Sequence, residues 1–241
     1  MPSNKNVVFD VVGTLVSYDT LINTLESRLG DRLRAEGVKP SLLANTWIEV
    51  AEREYTYLSM SGKYVPFVQC MAQLFYRVLH LADIRNPRQF AMDEDVQALM
   101  DAYNNLTMRP GAAECICKLR EAGFTVWALT AADLEGVAGL FAKASVDMPK
   151  ENLLSCDLYG VGKPDSLAYE PLLKQLSEGG AKPWFAAAHC WDVSAAQRKG
   201  FRGAYSLVLE KDKLAGLFGE IEVTADTLPE MAEGIISAAS E

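Results

Sequence analysis

Long hydrophobic runs are missing from this sequence. The longest apolar runs, such as Val7–Phe9 and Phe185–Ala188, are strand-sized and fall far short of the ~18 residues of a membrane-spanning helix. The first residues lead straight into a short apolar run and then an aspartate, whereas a signal peptide has a longer hydrophobic region and a small-residue cleavage site. We therefore expect neither a membrane anchor nor a secretory leader.

Basic residues are scarce relative to acidic ones. The chain has 23 Lys and Arg against 32 Asp and Glu, which gives a formal net charge of −9. Nucleic-acid-binding proteins normally present a basic face, so this balance argues against a nucleic-acid partner. A disordered chain is excluded too, because 49% of the residues are hydrophobic. The partner we expect is a small molecule.

Cysteine is too irregular in number and spacing to form a disulfide framework or a metal site. The Cys115-x-Cys117 pair lacks the two-residue spacer of a metal or redox motif. Packed thiols in a reducing cytoplasm are the expected state. The five cysteines are Cys70, Cys115, Cys117, Cys156 and Cys190.

Two hydrophobic rhythms divide the chain. From about residue 19 to 103 the spacing is helical, as in Leu21, Leu25 and Leu29, and no convincing strand interrupts it. Elsewhere strands alternate with helices. Strands are predicted over 6–12, 124–130, 152–156, 184–188, 203–207 and 220–223, and helices over 112–122, 134–144, 166–176, 193–199 and 228–239. This predicts an α/β fold with a doubly wound parallel sheet, made of residues 1–16 and 104–241, and a helical cap inserted over 17–103.

Ligands of open α/β sheets bind beyond the carboxyl ends of the strands. The residues to inspect are therefore those that end each predicted strand or follow it: Asp10 to Thr14, Thr130, Lys163, and His189 to Asp192.

Four short motifs in this order resemble the haloacid dehalogenase superfamily. They are Asp10-Val11-Val12-Gly13-Thr14-Leu15, the strand-ending Thr130, Gly162-Lys163-Pro164-Asp165 followed by Tyr169, and Trp191-Asp192 before Gly200-Phe201. The stretch Glu54–Leu58 (EYTYL), with Tyr64-Val65 and Phe67, is similar to the cap of the L-2-haloacid dehalogenases. The resemblance implies a Rossmann-like fold and a hydrolase that works through a covalent aspartyl ester; it also makes a homodimer plausible.

Each candidate catalytic residue has a chemical reading and a plain structural one. Asp10 is the expected nucleophile, although an Asp before Gly-Thr is also a common turn residue. Lys163 would keep Asp10 ionised, or would be a surface lysine before a helix. Thr14 and Thr130 offer hydroxyls to the nucleophile or the leaving group, or serve β-propensity and turn capping. Asp192 would orient water or bind Lys163, and would also fit as the N-cap of the helix predicted from Val193.

His189 is one of only two histidines and stands three residues before Asp192. It is either a general base near neutral pH or a hydrogen-bonded buried residue. Both readings are left open.

Two acidic groups of a phosphatase are missing. Phosphatases of this superfamily carry a second Asp two residues after the nucleophile, and here that position is Val12. Ala187 and Ala188 leave Asp192 without an acidic neighbour, so Asp10 and Asp192 alone would make a poor magnesium site. We expect neither a metal nor a cofactor, and phosphoryl transfer is disfavoured.

The chain also departs from the dehalogenase pattern. By alignment on Glu54-Tyr55-Thr56, the family's cap Arg is replaced by Glu49, with Arg53 one helical turn later on the same face. Ala131 replaces an Asn, and His189 another. Substrate contact is predicted for Glu49, Arg53, Val12, Ala131, Phe67, Tyr169 and Trp191. The alternatives are the same scaffold acting on a neutral or amine-bearing metabolite, and a catalytically silent binding protein.

Overall fold

A computed structural model describes residues 4–177 and 180–240, and the chain divides into two compact units. One unit consists of the chain up to Ser17 together with the chain from Met108 onward, and the other spans Tyr18–Thr107. The predicted domain boundaries stand a few residues before these divisions, and the first three residues of the predicted core lie outside the described part.

The α/β unit is built on a six-stranded parallel sheet in the order β5-β4-β1-β6-β7-β8. This confirms the predicted α/β class. In chain order the strands are β1 (Asn6–Phe9), β2 (Val16–Ser17), β3 (Thr107–Met108), β4 (Thr125–Thr130), β5 (Leu153–Ser155), β6 (Trp184–Ala187), β7 (Arg202–Ser206) and β8 (Val223–Ala225). The short strands β2 and β3 lie outside this sheet.

Strand β1 lies at the centre of the sheet because both of its faces are apolar. Val7, Val8 and Phe9 have no exposed surface. Val8 is paired in parallel register with Trp127 of β4 on one side and with Phe185 of β6 on the other. A continuous apolar strand is typical of a parallel sheet that is covered on both faces, as predicted.

The helical unit contains five helices with a core of its own. Trp47 packs edge-on against Phe75 with ring centroids 4.7 Å apart, and its indole N–H donates to the Met71 carbonyl at 2.9 Å. The helices are α1 (Asp19–Ala35), α2 (Pro40–Met60), α3 (Phe67–Leu81), α4 (Pro87–Phe90) and α5 (Asp93–Asn104). None of the helices in the described part of the chain is long and apolar enough to cross a membrane.

Three helices of the α/β unit, α7, α8 and α11, begin at polar caps that the sequence supplies. Asp133 accepts from the Gly136 amide at 2.7 Å, Asp165 accepts from the Leu167 amide at 2.9 Å, and Thr227 with Glu230 forms a capping box. The helices of the described part of this unit are α6 (Ala112–Glu121), α7 (Leu134–Lys143), α8 (Ser166–Leu176), α9 (Cys190–Lys199), α10 (Ala215–Phe218) and α11 (Leu228–Ala238).

Three predicted elements differ from the observed ones by more than one residue at an end. Strand β1 ends at Phe9 and not at residue 12, because the chain turns at Asp10 and Gly13 has a φ of +90°. Strand β8 is Val223–Ala225 and not 220–223. Helix α9 begins at Cys190 and not at residue 193, so Asp192 lies inside its first turn and His189 takes the N-cap position.

Candidate active site

The predicted site residues come together at the carboxyl edge of the parallel sheet. Asp10 directly follows β1, Thr130 ends β4, and His189 follows β6 after one intervening residue. Because β1 lies between β4 and β6, these three chain positions are neighbours in space. Lys163 reaches the same edge from the loop that precedes α8.

Two donors and an imidazole surround the Asp10 carboxylate. Thr14 Oγ1 donates to Asp10 Oδ2 at 2.7 Å, and Lys163 Nζ donates to Asp10 Oδ1 at 2.8 Å. His189 Nδ1 lies 3.3 Å from Asp10 Oδ2. Burial opposes ionisation of this carboxyl, but Lys163 and His189 outweigh it and hold the pKa of Asp10 well below its usual range. Asp10 is therefore an ionised carboxylate at neutral pH.

Lys163 joins two carboxylates. Its ammonium lies 2.8 Å from Asp10 Oδ1 and 2.8 Å from Asp192 Oδ2, and its side chain is only 3% exposed. The ammonium also stands 5.4 Å from the centre of the Phe185 ring. Burial works against its charge, yet the two carboxylates raise the pKa of Lys163 above its ordinary value. The lysine is thus a permanent cation whose charge is shared between Asp10 and Asp192.

Asp192 is fully buried behind Lys163. Tyr169 donates its hydroxyl to Asp192 Oδ1 at 2.5 Å, so both carboxylate oxygens have a donor. Burial is the largest influence on this carboxyl and raises the pKa of Asp192. Tyr169 has no exposed surface and packs against Phe185, with ring centroids 5.6 Å apart. Tyr169 was predicted as a substrate contact, and in the structure its buried hydroxyl binds the Asp192 carboxylate.

His189 lies against the turn that follows Asp10. A Cβ added to Gly13 would stand 2.5 Å from His189 Cε1 and 2.9 Å from His189 Nε2, closer than real Cβ atoms come. The positive φ of Gly13 and the missing side chain are both needed for this approach. Trp191 is half-buried beside the imidazole, with ring centroids 5.6 Å apart.

The Asp10–Thr14 turn is tied to two other parts of the unit. Thr14 Oγ1 accepts from the Ala188 amide at 2.8 Å while it donates to Asp10. Arg109 donates to the carbonyls of Gly13 at 2.8 Å and Thr14 at 3.1 Å. Arg109 was not predicted as a site residue. A contact with backbone carbonyls leaves no motif by which the sequence could reveal it.

Thr130 is buried at the end of β4, where its Oγ1 accepts from the Ala132 amide at 3.1 Å. Ser155 Oγ donates to the Ala132 carbonyl at 2.8 Å and fixes the same turn. Ala131, which lies between Thr130 and Ala132 in the sequence, is half-buried. Val12, which lies after β1, is half-buried too. Thr130 thus holds the turn that carries Ala131.

Three of the predicted substrate contacts belong to the helical unit. Glu49 and Arg53 are exposed on α2, and Arg53 is paired with Glu54 at 3.2 Å. Phe67 begins α3 and packs edge-on against Tyr55, with ring centroids 5.8 Å apart. The bonds of Asp10 given above all come from the α/β unit.

The donor set at Asp10 fits a buried ion pair better than a divalent metal. A magnesium site needs several hard oxygen ligands, but Lys163 already engages one oxygen of Asp10 and one of Asp192. Within residues 4–177 and 180–240, no group of three or more His, Cys, Asp or Glu side chains has a metal-binding arrangement.

A comparison with known proteins identifies a matching family and relatives of similar sequence. A family model described as haloacid dehalogenase-like hydrolase matches residues 5–200. The chain is 25% identical over 204 residues to an (S)-2-haloacid dehalogenase from Pseudomonas putida, and 26% identical over 207 residues to one from Pseudomonas fluorescens. Each match covers 83% of this chain and 83% of the relative.

Solved structures show the same fold. The L-2-haloacid dehalogenase from Xanthobacter autotrophicus matches with a TM-score of 0.75 at 20% identity, over 96% of this chain and 98% of that one. A structure of it with chloropropionic acid covalently bound matches with a TM-score of 0.72 at 19% identity, over the same shares of the two chains.

Proposed function

Since the chain belongs to the haloacid dehalogenase-like hydrolases, we propose that it hydrolyses a small molecule through a covalent ester formed on Asp10. One observation carries this proposal. Asp10 directly follows a buried strand as a carboxylate, and the Lys163 ammonium at 2.8 Å keeps it ionised. A carboxylate is a nucleophile only in its ionised form, and burial strips it of most of the water that would weaken it.

In the first half of the reaction, an Asp10 carboxylate oxygen attacks the substrate carbon that bears the leaving group. A carbon–oxygen bond forms while the bond to the leaving group breaks, and that group departs with the electron pair. A halide departs without a proton. This suits a site in which Val12 stands two residues after the nucleophile and can donate none.

In the second half, water attacks the carbonyl carbon of the Asp10 ester. His189, whose Nδ1 is 3.3 Å from Asp10 Oδ2, takes a proton from this water in the reaction that we propose. Lys163 stabilises the negative charge that develops on the ester oxygen. One water proton ends on the product hydroxyl, the other leaves through His189, and Asp10 returns as a carboxylate.

The relatives named (S)-2-haloacid dehalogenases support a 2-haloacid as the first candidate substrate. A second candidate is an uncharged or amine-bearing molecule that undergoes the same displacement. It is favoured by Lys163, which already shares its charge between two carboxylates and is only 3% exposed, so it has little left for a substrate carboxylate. Glu49 in place of the family Arg points the same way.

The first test is halide release from each enantiomer of 2-chloropropionate in the presence of EDTA, with Asp10→Asn as the control. Release by the wild type and none by Asp10→Asn is the expected result. Equal release by both proteins would sink the proposed nucleophile. Release by neither moves the search to 2-chloropropionamide and other uncharged halides, assayed in the same way.

The second test locates the attacked atom. A single turnover in ¹⁸O-labelled water should place the label in the Asp10 carboxylate, because water attacks the ester carbonyl, and mass spectrometry of the peptide that contains Asp10 detects it. Label found in the product and not in Asp10 would mean that water attacks the substrate directly. A silent binding protein would show neither label nor product.

A further inference from the structure

A loop carboxylate lies against the first turn of α9, next to the site. Glu210 follows β7, and its Oε2 accepts from the Cys190 backbone amide at 2.8 Å. The Tyr205 hydroxyl lies 3.1 Å from the same oxygen and 2.8 Å from the Asp212 carbonyl oxygen, and its single proton is shared between these two acceptors. The carboxylate is therefore held in place by two donors. Burial, with Glu210 and Asp212 nearby, raises the pKa of the Cys190 thiol to about 11.

The position of this carboxylate matters because of what α9 carries. The helix begins at the carboxyl edge of β6, with His189 at its N-cap and Asp192 in its first turn. The N-terminus of a helix presents free amides and the positive end of the helix dipole, and it attracts anionic groups of ligands. At this edge of an open sheet, such an N-terminus is where a substrate phosphate or carboxylate would bind.

We propose that Glu210 is a specificity-determining residue that serves as an internal anion at the N-terminus of α9 and keeps substrate anions away from it. Its carboxylate already satisfies the Cys190 amide, and a second anion there would meet it at close range and be repelled. That α9 borders the substrate site rests on the proposed function. The exclusion of anions from α9 does not depend on turnover.

The other positive groups at this edge are engaged in the same way. Lys163 is shared between Asp10 and Asp192, and Arg109 donates to the carbonyls of Gly13 and Thr14. Before a substrate binds, these two positive side chains of the α/β unit are therefore already paired with carboxylates or backbone carbonyls. The part of the substrate that faces α9 is accordingly not an anion.

The test asks whether removal of Glu210 creates an anion site. Inorganic phosphate is titrated into the wild type and into Glu210→Ala by calorimetry, and the Cys190 amide is followed by ¹⁵N NMR. We expect phosphate to bind Glu210→Ala at least tenfold more tightly than the wild type, with a shift of the Cys190 amide signal on titration. Glu230→Ala is the matched control, because Glu230 also binds an amide at the start of a helix, α11, away from the site.

Each outcome decides the proposal. Equal phosphate affinity in the wild type and in a folded Glu210→Ala would overturn it, and so would tighter binding without a shift at Cys190. If the alanine variant does not fold, Glu210→Gln, which keeps a hydrogen-bond acceptor and loses the charge, decides in its place by the same criteria. No step of this test uses turnover, so failure of the Asp10 chemistry and failure of the Glu210 role are distinguishable.

Discussion

At the scale of single residues, the charge balance of the site depends on Lys163. Its ammonium is the shared partner of two buried carboxylates, and both would be left uncompensated without it. Removal of one partner from a buried ion pair is costly, because the remaining charges are stranded in a medium of low dielectric constant. Lys163→Met should therefore lower the free energy of unfolding by about 3 kcal/mol or more and abolish turnover.

Urea unfolding measures this loss, and Lys118→Met provides its matched control. Lys118 also bridges two carboxylates, Glu114 and Glu233, but on the surface, where an ion pair contributes about 0–1 kcal/mol. If Lys163→Met loses as little free energy of unfolding as Lys118→Met, the buried ion pairs of Lys163 with Asp10 and Asp192 do not stabilise the site.

The lowered pKa of Asp10 predicts how the first chemical step responds to pH. An ordinary aspartate has a pKa of 3.8, and Lys163 and His189 hold Asp10 below that value against the effect of burial. As the pH falls, Asp10 would begin to protonate only below its ordinary range. The rate of ester formation, followed by mass spectrometry in single turnovers, should therefore show no acid limb above about pH 5.

Ester hydrolysis, followed in the same single turnovers, provides the internal control for this experiment, because it needs a base for the attacking water in addition to Asp10. An acid limb in hydrolysis with none in ester formation is the expected pattern. The same limb in ester formation would contradict the ionised state that we assign to Asp10.

The residues that sequence reasoning identified, and those it missed, differ in what they contact. Asp10, Lys163 and Asp192 stand in short motifs, and the structure brings all three together. Arg109 and Glu210 act on backbone groups and lie in loops, with no motif or hydrophobic period to mark them. Contacts of this kind become visible only when the strands are placed side by side.

At the scale of elements, hydrophobic periodicity predicted the sheet and most of its helices but not all of their ends. Strand β1 ends at Phe9, before the predicted residue 12, because the chain turns after Asp10 and Gly13 has a positive φ. Helix α9 begins three residues before the predicted start at residue 193. Its N-cap is His189, which makes no side-chain cap bond, so no Ser, Thr, Asn or Asp in the sequence signals the start. Both discrepancies fall beside the proposed active site.

The turn after β1 gives the prediction at this scale. In Gly13→Ala, the residue must keep a φ of +90°, and its Cβ would meet the His189 ring at 2.5 Å. We expect a loss of roughly 1–3 kcal/mol in the free energy of unfolding, because the backbone strain adds to the displaced imidazole. Ester hydrolysis should slow more than ester formation, since His189 moves while Lys163 and Asp10 stay.

Gly139→Ala is the control for this variant. Gly139 lies within α7, and a Cβ added there would meet nothing within 4 Å. Replacing a helical glycine with alanine should raise the free energy of unfolding by about 0.5–1 kcal/mol. If Gly13→Ala behaves like Gly139→Ala, the close approach of His189 to the turn is not required.

At the scale of the whole molecule, the change of hydrophobic rhythm along the chain marks the division into two units. Helical spacing prevails within Tyr18–Thr107, and strands alternate with helices in the rest. Hydrophobic periodicity does not reveal the role of Glu49 and Arg53. Both are exposed on α2, and their predicted contact with substrate stays a prediction.

The helical unit should fold by itself, because the contacts that hold it together lie within it. Arg28 and Arg32 of α1 both pair with Asp95 of α5, at 3.2 and 3.1 Å, and the Trp47–Phe75 contact joins α2 to α3. Residues 18–107 expressed alone should show a helical circular dichroism spectrum and a cooperative thermal transition. Residues 18–61, which hold only α1 and α2, should show no such transition, because an isolated helix pair lacks those partners. A non-cooperative transition in the longer fragment would mean that the unit depends on the remainder of the chain for its core.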